Sequence, residues 1–244
     1  MTIISANLQA MMEASLQSTV QANLAAVRAR IADAAIAARR DPRSVQLLAV
    51  TKTWPAAYVG AACQAGQLAF GESYVQEAIA KMAELADLGL EWHFIGPLQS
   101  NKTQAVAAHF AWVHAVDREK IAARLSRQRP ASLPPLQVCL EVNISGEVTK
   151  SGVAPAEVPA LARAVAQMPG LQLRGLMAIP APAADMQAAR RPFAQLRELL
   201  LRLNSEGMKL DTLSMGMTDD FEAAIAEGAT IVRVGRAIFG ERTG

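Results

Sequence analysis

The sequence predicts an α/β protein, a single (β/α)8 TIM barrel preceded by one extra helix. Eight short apolar runs succeed one another, and each but the last is followed by a helix-compatible stretch. The chain has 244 residues, 52% of them hydrophobic and 19% charged, enough for one sizeable core without metals or disulfides. An open doubly wound sheet is the competing architecture. It would want a G-x-G-x-x-G turn after an early strand, and the early turns carry none.

The elements follow in order. Leu8, Met12, Leu16, Val20, Leu24, Val27 and Ile31 recur at three- and four-residue spacing, which places them on one face of a long helix stopping near Asp41-Pro42. Leu47-Leu48-Ala49-Val50-Thr51 is apolar on both faces, as a strand of a parallel sheet must be, and it ends on Lys52. The next strands are expected at Leu68-Ala69-Phe70, at Trp92-His93-Phe94-Ile95 and at Trp112-Val113-His114-Ala115-Val116. The last four run from Leu136 to Val142, Leu171 to Ile179, Thr212 to Met215 and Thr230 to Val234. Asp117, Pro155 and Thr218 stand where helix starts are expected.

Composition narrows the function. Twenty-four basic against 22 acidic residues give a net charge of +2, with no long basic block to hold nucleic acid or a membrane surface. Charges interrupt every long apolar stretch, so no membrane span is expected, and the N-terminus has no secretion-signal pattern. Cys63 and Cys139 form no C-x-x-C pair and read as reduced thiols, which favours a cytoplasmic protein. The three histidines lack metal-site spacing, and no G-x-S-x-G turn marks a serine hydrolase.

In such a barrel the functional face lies at the C-terminal ends of the strands. Lys52, Glu72, Ser73, His93, Asn143, Met177, Ser214 to Met217 and Gly235-Arg236 all fall at or just past those ends and are expected to ring one mouth. Lys52 is the candidate amine nucleophile, since burial of an ammonium lowers its pKa; the alternative is a strand-end lysine whose stem packs while its head reaches water. Ser214-Met215-Gly216-Met217 after the seventh strand and Gly235-Arg236 after the eighth occupy the two places where barrels commonly hold a phosphate. Thr218-Asp219-Asp220 reads as a helix cap, because carboxylates repel phosphate. Arg233 interrupts an apolar strand and needs partners: either it faces a ligand ring, or it pairs with a carboxylate such as Glu72 or Glu141. His93 is either an acid–base group or a packing residue, and Lys150 is a second possible amine in a glycine-rich loop.

Taken together, Leu48 to Thr53, Phe70 to Glu77, Trp92 to Lys102, Gly175-Leu176-Met177, Leu213 to Met217 and Val232 to Gly240 closely resemble the pyridoxal phosphate homeostasis protein family. The resemblance implies an alanine-racemase-type barrel over residues 1–244 that binds pyridoxal 5′-phosphate, held as a Schiff base on Lys52. It places Ser214, Gly235 and Arg236 at the phosphate and Arg233 near the pyridine nitrogen, where a cation disfavours ring protonation, and it counts Met215 and Gly216 among the cofactor-binding residues. Three positions depart from the family pattern: Ser73 replaces a usual Asn, Arg236 a frequent Ser or Thr, and Ala178 a frequent Thr.

Racemases of this fold add a second domain with a second acid–base residue, and this chain ends four residues after Gly240. The expected function is therefore a cytoplasmic, monomeric cofactor carrier without established turnover that exchanges cofactor with pyridoxal-phosphate-dependent apoenzymes. The alternatives are a single-domain amino-acid racemase or decarboxylase-like enzyme, and a Schiff-base aldolase acting on a phosphosugar.

Overall fold

Eight parallel strands close into a barrel in sequence order. They are β1 (Gln46–Val50), β2 (Ala69–Glu72), β3 (Glu91–Phe94), β4 (Trp112–Val116), β5 (Leu136–Glu141), β6 (Leu171–Met177), β7 (Thr212–Ser214) and β8 (Ile231–Val234). The seam is made by β1 against β8, from Gln46 opposite Ile231 to Ala49 opposite Val234. A computed structural model describes residues 3–147 and 150–241, with side chains from residue 11 onward. All eight expected strands are found, and the parallel, closed topology replaces any open-sheet reading.

The helices are α1 (Ile3–Ala37), α2 (Ala56–Gln64), α3 (Val75–Glu84), α4 (Thr103–His109), α5 (Glu119–Gln128), α6 (Val158–Ala166), α7 (Met186–Ser205), α8 (Phe221–Ala226) and α9 (Arg236–Phe239). The expected stripe on α1 is buried at Val20, Leu24, Val27 and Ile31. It fails nearer the N-terminus, where Met12 is 66% exposed; Leu8 falls outside the described side chains. Packing decides that difference, since α1 lies on α2, α8 and α9. There Asn23 Nδ2 donates to the Ile238 carbonyl at 2.9 Å, so the extra helix fastens the short helix that follows β8.

The helix starts depart from expectation where the strands do not. Asp117 pairs with the Arg118 guanidinium at 2.6 Å and does not cap α5. Residues 155–157 form a turn, and α6 begins only at Val158. Before α8 the residue at the cap position is Asp220, not Thr218; its carboxylate turns back to accept from the Met217 N–H at 2.6 Å and caps no helical N–H. None of α5, α6 and α8 begins with a side-chain cap, so the polar residues before them turn to other partners.

Two apolar layers result from the two-residue period of the strands. The larger lies between barrel and helices and includes Ala49, Phe70, Phe94, Val113, Leu140, Leu176 and Val232. The smaller fills the barrel interior with Leu48, Ala69, Trp112, Cys139, Met177 and Ile231. A barrel of this size packs its interior solidly with side chains. Here polar side chains share that space.

Candidate functional site

A cavity of about 380 Å³ opens at the C-terminal ends of the strands. Lys52, Trp54, Ile95, Ile179, Met217, Thr218, Arg233, Gly235 and Arg236 line it, so β1, β8 and the loop after β7 contribute most of its polar wall. It is of the size and composition of a small-molecule pocket.

Lys52 is half-buried and begins the turn that leaves β1. Beneath that turn sits a charged cluster. The Lys81 ammonium, from α3, donates to the Thr51 carbonyl at 2.7 Å, to Glu72 Oε1 at 2.8 Å and to Glu77 Oε1 at 2.6 Å. Thr51 Oγ1 donates to the same Glu72 oxygen at 2.7 Å, and Glu77 accepts from the Thr53 N–H at 2.6 Å. The backbone on both sides of Lys52 is thereby tied to one buried ion cluster. Thr53 has φ 71°, a left-handed conformation that a β-branched residue adopts only under constraint. Glu72 is fully buried, and burial raises its pKa despite the opposing pull of Lys81 and Thr51.

Arg233 enters the pocket from β8 and is 4% exposed. Its NH1 donates to the Ser214 carbonyl at 2.6 Å and to Ser214 Oγ at 2.7 Å, and its NH2 donates to the Ala178 carbonyl at 3.0 Å. Its bonded partners are thus oxygens of β7 and of the chain leaving β6. Neither carboxylate considered from the sequence holds it: Glu72 belongs to Lys81, while Glu141 and Asp220 act on Arg233 at longer range. Burial lowers its pKa to about 10, which leaves it a cation at neutral pH. Glu141 goes the other way, to about 7, because burial and then Asp117 outweigh Arg233.

The two glycine loops divide their roles. Ser214 and Met215 are fully buried beneath the pocket, and Gly216 has φ +93° with the position of an added Cβ only 2.6 Å from Ala224 Cβ. That glycine lets α8 close against the turn. Met217 and Thr218 reach the cavity instead. Gly235 lines it directly, and a Cβ there would stand 3.0 Å from the Val50 carbonyl. Arg236 is half-exposed on the rim, bonded to Asp219 and 3.4 Å from Glu241.

Of the residues expected at the mouth, Lys52, Met217, Gly235 and Arg236 line one cavity, joined by Arg233; Glu72, His93 and Ser214 lie below it, and Ser73, Asn143 and Met177 are not part of its lining. His93 Nε2 meets Glu91 at 2.8 Å, toward the opposite end of the barrel. Lys150 is paired with Glu147 at 2.7 Å, in a loop whose Val148 and Thr149 lie outside the described residues. Sequence reasoning missed Lys81, Glu77 and His114. The i,i+4 spacing of Glu77 and Lys81 was legible, and so was the inward polar period Glu91-His93 beside Trp112-His114.

Residues 22–243 match the family described as alanine racemase, N-terminal domain. The pyridoxal phosphate homeostasis protein of Pseudomonas aeruginosa is 65% identical over 92% of this chain and 96% of its own length. The protein of that name from Escherichia coli K12 is 52% identical over 90% of this chain and 95% of its own length. PipY of Synechococcus elongatus, whose structure was solved with PLP bound, superposes with a TM-score of 0.80 at 40% identity, covering 91% of this chain and all of PipY. Alanine racemase from E. faecalis shares the barrel at a TM-score of 0.67, and its 16% identity speaks for the fold alone. With the barrel closed, the strand-end lysine on its first strand and these relatives aligned along nearly the whole chain, this protein belongs to the pyridoxal phosphate homeostasis protein family, on the alanine racemase N-terminal-domain fold.

Proposed function

We propose that residues 1–244 form one domain that binds pyridoxal 5′-phosphate at the barrel mouth and serves intracellular vitamin B6 homeostasis as a carrier. The observation that carries the reading is that Lys52, Arg233, Gly235 and Arg236 line one cavity of about 380 Å³. The donor set fits the cofactor: an amine for its aldehyde, a cation for the ring edge, and a glycine-bearing backbone with a guanidinium for its phosphate. Bound there, the cofactor would supply a reactive aldehyde and an electron-accepting ring.

Lys52 holds the aldehyde covalently, and the ion cluster under it keeps the amine on the pocket side of the turn. Arg233 presents a fixed cation to the ring, and like charge disfavours a proton on the ring nitrogen. That weakens the ring as an electron sink and suits holding over turnover. Gly235 permits close backbone approach, while Arg236 must exchange Asp219 for phosphate. Met215 and Gly216 shape the loop from below, and Ser214 acts through Arg233. The same reading has the protein monomeric in the cytoplasm, handing cofactor to dependent apoenzymes; the unpaired thiols of Cys63 and Cys139 suit a reducing compartment.

Borohydride reduction of the cofactor-loaded protein followed by peptide mass mapping tests the reading. The adduct is expected on Lys52, and Lys52→Ala should lose the visible band. An adduct on Lys150 alone, or none, sinks it. Chiral analysis of an amino-acid panel separates carrier from racemase or decarboxylase-like enzyme: sustained turnover abolished by Lys52→Ala would replace the carrier with a catalyst.

A further inference from the structure

Below the pocket a line of polar side chains crosses the barrel interior. Glu91 Oε1 lies 2.8 Å from His93 Nε2, His93 Nδ1 lies 2.9 Å from His114 Nε2, and His114 Nδ1 lies 2.7 Å from Ser214 Oγ. Ser214 Oγ in turn lies 2.7 Å from Arg233 NH1. Glu91 opens β3 at the end of the barrel opposite the pocket, with its side chain 45% exposed, whereas His93, His114 and Ser214 are wholly buried. We propose that Glu91, His93, His114 and Ser214 form a one-directional hydrogen-bond relay that positions Arg233 in the pocket from the far end of the barrel.

The two ends assign every proton between them. A guanidinium can only donate, so Ser214 Oγ must accept from Arg233 and use its own proton elsewhere. Its O–H donates to His114 Nδ1, which is therefore a bare acceptor, and the His114 proton resides on Nε2. That proton goes to His93 Nδ1, leaving the His93 proton on Nε2, where it meets the Glu91 carboxylate. A carboxylate can only accept, so both ends demand the same direction. Four bonds close with no donor facing a donor and no lone pair facing a lone pair.

The surroundings favour this state. Both imidazoles are neutral, because burial holds the His93 and His114 pKa values below the ordinary histidine range; the Arg233 charge and His93 push His114 down further. Glu91 stays ionised, held below the usual range chiefly by His93. Trp112 stacks on the His93 ring at 5.3 Å with 5° between planes, and the Arg174 guanidinium covers the other ring system at 5.1 Å. Because its proton is committed to His114, Ser214 offers Arg233 a lone pair and not a competing donor. The same commitment and its full burial leave Ser214 no nucleophilic role.

This inference rests on the reading that Arg233 serves the cofactor ring, and its failure is separable from failure of that reading. The full-length protein, uniformly labelled with 15N-histidine, is examined by NMR with and without added pyridoxal 5′-phosphate. His93 and His114 are expected as neutral rings protonated at Nε2 at pH 7; an imidazolium or an Nδ1–H tautomer at either ring overturns the relay even if cofactor binds. Glu91→Ala, at an exposed position that leaves the core intact, should mix the two tautomers and raise the cofactor Kd roughly 2- to 30-fold, the range of coupling through packed networks. Glu91→Gln keeps a carbonyl acceptor and should restore both signals. Unchanged tautomers and Kd in Glu91→Ala also overturn the relay. Wild-type protein that binds no cofactor refutes the carrier reading instead, while its tautomers still decide the direction of the chain.

Discussion

Two polar networks penetrate this apolar barrel, and they are built on opposite principles. Under Lys52, on the β1 and β2 side, Lys81 joins two carboxylates within a few residues of sequence: its side chain is 6% exposed and that of Glu72 is fully buried. Under Arg233, on the β3, β4, β7 and β8 side, the chain has charges only at its ends and three neutral groups between them. The first network fixes backbone, because its terminal bonds reach the Thr51 carbonyl and the Thr53 N–H. The second fixes a side chain. Buried charge must be matched locally, since each ion loses hydration worth several kcal/mol, whereas neutral hydrogen-bonded groups cross a low-dielectric interior at small cost. Their sensitivity to a single deletion should differ accordingly.

The largest effect is expected where the charged network loses the Lys81 cation that joins its two carboxylates. Lys81→Met leaves Glu72 and Glu77 facing each other, and removing one partner of a buried pair typically costs about 3–5 kcal/mol. Urea denaturation at pH 7 should show that loss, and it should shrink as the pH falls and Glu72 takes up a proton. The double variant Glu72→Gln/Lys81→Met should recover much of it. A Lys81→Met protein as stable as wild type at pH 7 would mean that the cluster is not a charged unit.

The sequence made the barrel legible but not the networks. Apolar runs of β-rich residues at regular intervals identify all eight strands, because burial on both faces leaves a continuous signal in each. Lys52 and Arg233 were legible as cations breaking or ending such runs, and both line the pocket. Ser214 was placed on the strand end correctly, yet which way its hydroxyl turns depends on His114, a hundred residues away. The Glu77–Lys81 spacing was legible but its burial was not: a lysine on an amphipathic helix next to acidic residues reads as a solvated face. Only the packing of α3 over the end of β2 buries it. Helix starts were less legible because side-chain caps are absent there: Asp220 stands at the cap position of α8 and bonds backward to Met217 instead.

Glu141 offers a middle case, a buried carboxylate that belongs to neither network. It ends β5 at 9% exposure, and its pKa of about 7 lies above that of an ordinary glutamate. A raised folded-state value means that folding disfavours the charged form. Its favourable contribution is present below the unfolded-state pKa and is lost as the pH rises through about 7. Glu141→Gln should therefore match wild type near the bottom of that window and be more stable above it, by at most about 3 kcal/mol at one pKa unit per 1.36 kcal/mol. Thermal denaturation at several pH values, with equal cofactor loading, checks the sign. A variant that loses stability at high pH would place a cation bonded to Glu141 and make it part of the Arg233 network.

The smallest expected effect separates strain from charge within the Lys52 region. Thr53 is exposed, so its side chain contributes little packing, yet its φ of 71° is held by the Glu77 bond to its N–H. Strain of this kind is on the order of 1–3 kcal/mol, while glycine at the same place adds roughly 1 kcal/mol of unfolded-state entropy to be lost on folding. Thr53→Gly should thus stabilise the protein by about 1 kcal/mol. The same freedom loosens the turn that aims Lys52, so cofactor retention on dilution should fall even as the melting temperature rises. Opposite movement of the two readings would identify the left-handed threonine as strain maintained for the amine. Loss of stability together with unchanged retention would instead assign the constraint to the fold, with no part in presenting Lys52.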